Sequence, residues 1–234
     1  MKNIRHILGK ELKSYFIAPI AYIVIAIFLL ITGWFFFSTF FLYNQASLRN
    51  FFGLLPIIFS FIVPAVTMRL FSEEIQTGSY EILMTLPVTY SEVIIGKFLA
   101  AVSFVAIMLL PTLSYTVTIA LLGKLDLGPV IGGYIGALFL GALFSAIGLL
   151  ASALTRNQII AFIIGMSICF TLTLVDKMLF FLPESLLGVL EYIGADFHFQ
   201  NIAKGILDSR DILYFASFSF VALYGANLVM KGKK

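Results

Sequence analysis

Residues 129–153 read PVIGGYIGALFLGALFSAIGLLASA and contain no charged side chain. About 20 consecutive apolar residues suffice for a helix to cross a bilayer. The run also lacks the period-two alternation of a membrane barrel strand. Five more apolar runs of spanning length lie near residues 18–43, 51–68, 98–122, 158–176 and 212–230. The sequence therefore predicts an all-α membrane protein with six transmembrane helices.

The overall composition supports a lipid environment. Hydrophobic residues make up 61% of the chain and charged residues 12%, and the mean hydropathy is +1.05. Soluble domains are about 45–50% apolar and about 25% charged. A net charge of +3 gives no reason to expect a nucleic-acid partner, and the single cysteine, Cys169, excludes an intrachain disulfide.

The basic residues predict the orientation of the six spans. With a cytoplasmic N-terminus, ten of the fifteen Lys and Arg residues fall in inner segments, so we expect both termini in the cytoplasm. Two long connections remain, 69–97 on the inner side and 177–211 on the outer side. The amphipathic pattern within the outer one predicts helices over the bundle mouth, acting either as a gate or as a cap.

The first 16 residues form a separate amphipathic pattern. Their basic residues occupy one helical face, which predicts an interfacial helix on the membrane surface; a plain positively charged tail is the alternative. The apolar residues that recur at helical spacing on the other face are Ile4, Ile7, Leu8, Leu12 and Tyr15.

Three patterns predict helix starts. Thr89 with Glu92, and Thr155 with Gln158, have the spacing of a capping box. Pro129 is expected at the first helical position of span four. Small residues then recur within that span, at Ala137, Gly141, Ser145, Gly148 and Ser152. We expect this stripe to serve packing within one bundle rather than a dimer seam.

The sequence offers little for catalysis or metal binding. No Gly-Lys pair is followed by Ser or Thr, so a P-loop is absent, and we predict no catalytic residues. His6 and His198 lack partners at metal-ligand spacing, and His198 is expected to pack between Phe197 and Phe199.

Ionisable residues are rare in the spans; Asp176 and Lys177, at the end of span five, can reach water or each other. This scarcity disfavours an ion-coupled secondary transporter or channel, which stays an alternative. A membrane-embedded enzyme is a third hypothesis without a candidate cluster.

The inner connection reads RLFSEEIQTGSYEILMTLPVTYSEVIIGK over residues 69–97 and is too long for a simple turn. Thr77-Gly78 offers a break, a short helix is expected from Ser79 to Leu86, and Pro87 ends it. Taken alone, the acidic residues Glu73, Glu74 and Glu81 could be an ordinary solvated face.

The order R-x-F-S-E-E-x-x-x-G-(S/T)-x-E-x-L-x-x-x-P, followed by Gly-Lys, resembles the first cytoplasmic loop of ABC-2 type permeases. Tyr80 departs from this pattern, because leucine is common there. The resemblance covers nearly the whole chain and implies a single domain over 1–234. It assigns ATPase coupling to Arg69, Glu73, Glu74, Gly78, Glu81, Leu83, Pro87, Gly96 and Lys97.

The resemblance also implies partners. Two permease copies, or this chain and a related permease, would pair above a cytoplasmic ABC ATPase dimer, with residues 78–86 as the coupling helix. ATP and Mg would bind the ATPase, leaving this chain without a cofactor. In such permeases spans two and five face the pathway, so Pro56 and Pro64 in span two would suit a bent, mobile wall.

Two shorter stretches give a narrower resemblance. KELKSYFIAPIAY at 10–22 and HFQNIAKGILDSRD at 198–211 look like the permease subunit of the gliding-motility ABC system. That subgroup implies the bacterial inner membrane and an auxiliary membrane subunit with an extracytoplasmic domain. The copper-delivery ABC permease of the nitrous-oxide reductase system is a similar alternative.

Overall fold

Apolar length determines the helices that dominate the structure. The computed structural model describes residues 2–43, 47–85, 87–123, 126–178 and 192–233, which contain no β-strand. Six helices are long and apolar enough to cross a membrane, which confirms the all-α prediction. The helices are α1 Lys2–Ile17, α2 Pro19–Tyr43, α3 Arg49–Thr67, α4 Arg69–Gln76, α5 Ser79–Thr85, α6 Tyr90–Leu109, α7 Leu113–Leu122, α8 Leu127–Leu154, α9 Gln158–Met178, α10 Ala195–Ala203 and α11 Ser209–Lys231.

Helix α8 is the centre of the bundle. It packs against α3, α6, α9, α10 and α11. Its small residues allow this: a Cβ at Gly141 would come within 2.7 Å of Val105 Cγ1, and one at Gly148 would collide with Thr67. Both contacts lie within the chain, so these glycines serve packing inside the bundle.

Span three is longer than its apolar run. α6 begins at Tyr90, directly after the predicted Thr89 capping box and ahead of the apolar run near residue 98, and a 3₁₀ turn over Leu110–Thr112 joins it to α7. Pro111 lies in that turn, because proline cannot donate the backbone hydrogen bond of a regular α-helix. Because α6 begins before the apolar run, its polar first turns project beyond the apolar part of the span.

The helix starts test the capping predictions. The Thr89 box is confirmed, since Glu92 N donates to Thr89 Oγ1 at 3.3 Å and Thr89 N donates to Glu92 Oε2 at 3.0 Å. The box predicted at Thr155 and Gln158 is wrong. Asn157, the residue before α9, caps the helix instead: its Oδ1 accepts from Ile159 N at 2.9 Å, whereas Thr155 Oγ1 accepts from Asn157 N at 3.1 Å, ahead of the helix.

Span four also begins differently from the prediction. α8 starts at Leu127, and Asp126 caps it by accepting a hydrogen bond from Gly128 N at 3.2 Å. Pro129 is therefore the third helical residue, not the first. A proline is tolerated there because amides of the first turn have no partner within the helix.

Both ends of the described chain lie at the same end of the bundle, which we call the terminal end. Asn3 contacts Pro87 and Lys233 lines a pocket with Tyr80, and both of these partners belong to the segment 69–97. Helix α1 lies against α6 there, which confirms that the N-terminal segment is helical. Tyr15 anchors it, its buried hydroxyl donating to Val66 O at 3.3 Å. Burial raises the pKa of Tyr15 above its usual range.

At the opposite end, α10 packs on α8, and its His198 forms a buried polar pair with Asp211 of α11. His198, only 2% exposed, stacks on Tyr214 and places Nδ1 2.6 Å from Asp211 Oδ1. The expected contact with Phe197 is present, but the polar partner was not predicted, because Asp211 belongs to another helix.

Lys177 also has a partner on another element. It bonds Asp196 Oδ2 at 2.8 Å, a partner the sequence did not indicate. Much of the predicted gate or cap lies outside the described residues.

Candidate coupling site

The residues singled out in 69–97 build a helical hairpin at the terminal end. Helix α4 continues α3 beyond Met68, and α5 returns after Thr77-Gly78. Gly78 has φ +73°, a left-handed backbone that glycine adopts without steric cost. Thr77 closes α4, with its Oγ1 donating to Glu73 O at 2.9 Å and contacting Ser79 Oγ at 2.7 Å. The turn is therefore defined by local sequence.

Ser152 of α8 attaches α4 to the bundle. Its Oγ accepts hydrogen bonds from the backbone N of Phe71 at 2.9 Å and of Ser72 at 3.0 Å, and it donates to Met68 O at 2.7 Å. The first amides of a helix lack partners within the helix, so one buried hydroxyl satisfies two of them here. Movement of α4 is thereby linked to α8.

Lys97 is the centre of a buried ion cluster. Its side chain is 1% exposed, and Nζ lies 2.9 Å from Glu11 Oε1, 2.9 Å from Glu74 Oε1 and 2.7 Å from Leu70 O. The ammonium also stands 5.2 Å from the centroid of the Phe71 ring. The ammonium group donates hydrogen bonds to Glu11 and Leu70 O and forms a second ion pair with Glu74. The cluster ties α1, α4 and α6 together.

Gly96 brings α1 and α6 into close contact. A Cβ at this position would lie 2.8 Å from Ile7 Cγ2 and 3.3 Å from Ile4 O. Nothing larger than hydrogen fits without a shift of α1. Gly96 and Lys97 therefore both contribute to the α1–α6 contact, and neither presents a side chain to solvent.

The remaining matched residues lie nearer the surface. Glu81 is exposed in the first turn of α5, where a carboxylate interacts favourably with the helix dipole. Pro87 is exposed, and Leu83 packs partly against the core. Arg69 and Glu73 form an i,i+4 ion pair at 3.1 Å along α4. Leu86, at the end of the predicted coupling helix, lies outside the described residues.

Tyr80, the departure from the motif, lies in α5 and is buried. Its ring meets the Phe71 ring edge-on with centroids 6.4 Å apart. Burial raises its pKa to about 12. Tyr80 therefore connects α5 to the same α4 residue that lies beneath Lys97.

Pro56 and Pro64 are not brought together with the hairpin. Both are buried in α3 and face α9: Thr173 Oγ1 donates to Pro56 O at 3.5 Å, and a Cβ at Gly165 would lie 3.4 Å from Pro64 Cβ. The two prolines thus lie along the contact between spans two and five. Backbone carbonyls freed by proline can accept such side-chain hydrogen bonds.

Two members of the site were not singled out from the sequence. Glu11 completes the Lys97 cluster. Its position as the one acidic residue of the basic helix α1 was a sequence feature that could have indicated it. Ser152 was seen only as a small residue of span four. No sequence pattern indicates its double acceptor role, because the amides it binds are about 80 residues away.

The hairpin lies inside a stretch that matches a known family. Residues 51–218 match the family described as "ABC-2 family transporter protein". The chain belongs to the ABC-2 transporter family. The match runs from span two into span six and includes every predicted coupling residue, whereas Glu11 precedes it. Among curated proteins, none matches the chain. Membership makes this ABC-2 chain a multi-pass transport component.

Proposed function

We propose that this ABC-2 chain is the permease subunit of an ATP-driven transporter. It pairs with a second copy or a related permease, and α5 docks on a cytoplasmic ABC ATPase dimer that holds ATP and Mg. The observation that carries the proposal is how α5 is attached to the rest of the bundle. An exposed short helix projects from the terminal end, while the helix before it is tied to three other helices.

The contacts support a route for transmitting force. α5 follows the glycine turn at the end of α4, and α4 is held by Ser152 of α8. The Lys97 cluster connects α4 to α1 and α6. A push on α5 would therefore move α1, α4 and α6 as one unit. Lys97, Glu74 and Gly96 act in this scheme as positioning residues, whereas Glu81 and Pro87 are candidates for direct ATPase contact.

The pathway would lie beside α3 and α9. Pro56 and Pro64 stand along their contact, where the two helices approach through small side chains such as Gly165. Interrupted backbone hydrogen bonding in α3 would let this wall change shape when the two permeases tilt. We assign both prolines a gating role on this basis.

The distribution of Lys and Arg supports the orientation and location. We place both termini and α5 in the cytoplasm and the spans in the bacterial inner membrane. The segments at 10–22 and 198–211 support assignment to the gliding-motility permease-like subgroup. An auxiliary membrane subunit with an extracytoplasmic domain would then join the complex.

A tagged chain purified from native membranes tests the central claim. The wild type should retain a partner that hydrolyses ATP. Glu81→Lys should lower the retained activity about tenfold, because the substitution reverses a charge at the proposed interface. Lys13→Ala is the matched control: it removes an exposed charge at the same end, away from α5. A chain that transports in liposomes without any ATPase would contradict the proposal.

A further inference from the structure

A polar pocket lies beside α5, and its lining does not include Lys97 or Glu11. Its volume is about 520 Å³, within the range of small-ligand sites. Five parts of the chain meet there: α4, α5, the start of α6, the α8–α9 connection and the end of α11. The side chains that matter for binding are Tyr80, Glu81, Tyr90, Arg156 and Lys233.

The pocket has a positive charge without a matching partner. Within the described part of the chain, neither Arg156 nor Lys233 forms an ion pair. Burial, and then the charge of Arg156, lower the pKa of Lys233. Glu81 also lines the pocket, which leaves one net positive charge when both basic groups are protonated. A bound anion would relieve the repulsion between Arg156 and Lys233.

Tyr80 adds an unsatisfied donor. The residue is 8% exposed, and its hydroxyl finds no hydrogen-bond partner among the residues that the structure describes. A buried hydroxyl without an acceptor costs free energy. An oxygen-rich anion in the adjoining pocket would supply that acceptor after a small rotation of the side chain.

The position of the pocket identifies the class of anion. Met230 lies in the last turn of the spanning helix α11, and Arg156 follows the C-cap residue of α8, Thr155. This is the level at which helices leave the hydrocarbon and lipid headgroups begin. Tyrosines and basic residues are the side chains that favour that level, and Ile75 with Met230 supply an apolar wall.

We infer that the Tyr80–Arg156–Lys233 pocket binds the headgroup phosphate of an anionic phospholipid from the adjacent leaflet. The guanidinium and ammonium groups would hold the phosphate, the tyrosine hydroxyl would donate to it, and the glycerol would lie against Met230. Because the pocket adjoins α5, an occupied site would support that helix. Placing it in the cytoplasmic leaflet rests on the proposed orientation, whereas the binding chemistry does not.

Native mass spectrometry of the purified full chain, titrated with phosphatidylglycerol in detergent, measures the binding. Each basic residue should contribute about fivefold to affinity, so Arg156→Gln/Lys233→Gln should weaken the first bound lipid about 25-fold. Lys204→Gln/Arg210→Gln removes the same charge from exposed positions at the opposite end and should leave that lipid bound. Tyr80→Phe keeps the ring and should weaken binding about tenfold.

Other ligands give different results. Equal affinity for phosphatidylcholine, or displacement of the lipid by millimolar inorganic phosphate, would overturn the assignment to an anionic lipid. The assignment would also be overturned if the Arg156→Gln/Lys233→Gln variant bound lipid as well as the control but no longer retained the ATPase. The two basic residues would then bind a carboxylate of the ATPase. The titration uses the permease without its ATPase, so a failure of lipid binding is distinguishable from a failure of ATPase coupling.

Discussion

Replacement of Lys97 by methionine tests the role of the buried ion cluster. Methionine matches the aliphatic stem of lysine, so packing against Phe71 is retained while the charge is lost. The change removes a hydrogen bond of 2.9 Å to Glu11, an ion-pair contact of 2.9 Å to Glu74 and a hydrogen bond of 2.7 Å to Leu70 O. Glu11 and Glu74, with side chains 12% and 16% exposed, are left facing each other without the central cation.

The size of the effect follows from that burial. Breaking a buried ion pair from one side costs about 3–5 kcal/mol. Both carboxylates keep some contact with water, and Lys10 remains 3.5 Å from Glu74, so we expect the lower end, about 3 kcal/mol. For a chain of this length that corresponds to a fall in Tm of about 6–12 °C.

Thermal unfolding in detergent, followed by the monodisperse fraction after heating, measures the shift. Lys13→Met is the matched control, because Lys13 is exposed on the same helix as Glu11; its Tm should stay within about 1 °C of wild type. The triple variant Glu11→Gln/Glu74→Gln/Lys97→Met should recover most of the loss, since no uncompensated charge remains. A Lys97→Met chain as stable as Lys13→Met would refute the reasoning.

Three further substitutions test the site. Gly96→Ala should destabilise the chain by about 1–3 kcal/mol through its clash with Ile7, whereas Gly9→Ala, which meets nothing within 4 Å, should not lower Tm; equal Tm values would contradict the close contact. Gly78→Ala should cost about 1 kcal/mol at its positive φ and reduce ATPase retention, and an unchanged retention would argue against a defined turn. Ser152→Ala should lower Tm by an amount equivalent to about 2 kcal/mol because two buried amides lose their acceptor; faster hydrogen exchange confined to Phe71 and Ser72 is the signature to look for.

Features that depend on residues close together in the chain could be predicted from the sequence more readily than contacts between distant segments. The span limits and the Thr89 capping box depend on residues close together in the chain, and both were predicted. The start of α9 near residue 158 was predicted, but its cap was not: Thr155 and Asn157 are both good capping residues, and the helix begins directly after Asn157. The polar first turns of α6 do not enter an apolar-length estimate, which places span three near residue 98, and the Thr89 capping box supplied the helix start instead.

The pairs that connect distant segments could not be predicted. Glu11 and Lys97 are 86 residues apart, and the acceptor role of Ser152 spans about 80. His198 was correctly expected to touch Phe197, but Asp211 meets it only because α10 and α11 pack side by side. Such contacts depend on how each helix is rotated about its axis, and composition does not encode that rotation.

The number of spans, their approximate limits, the hairpin before span three and its glycine turn could all be inferred from residues close together in the chain. Transfer of apolar side chains into lipid and capping of helix ends act over a few residues, so they can be read along the chain. The packed helices were needed to show that Lys97 is an internal link rather than a surface charge, and that Tyr80, Arg156 and Lys233 share one pocket. Those arrangements arise when small residues of α8 set how closely the other helices approach, which is a property of the packed bundle.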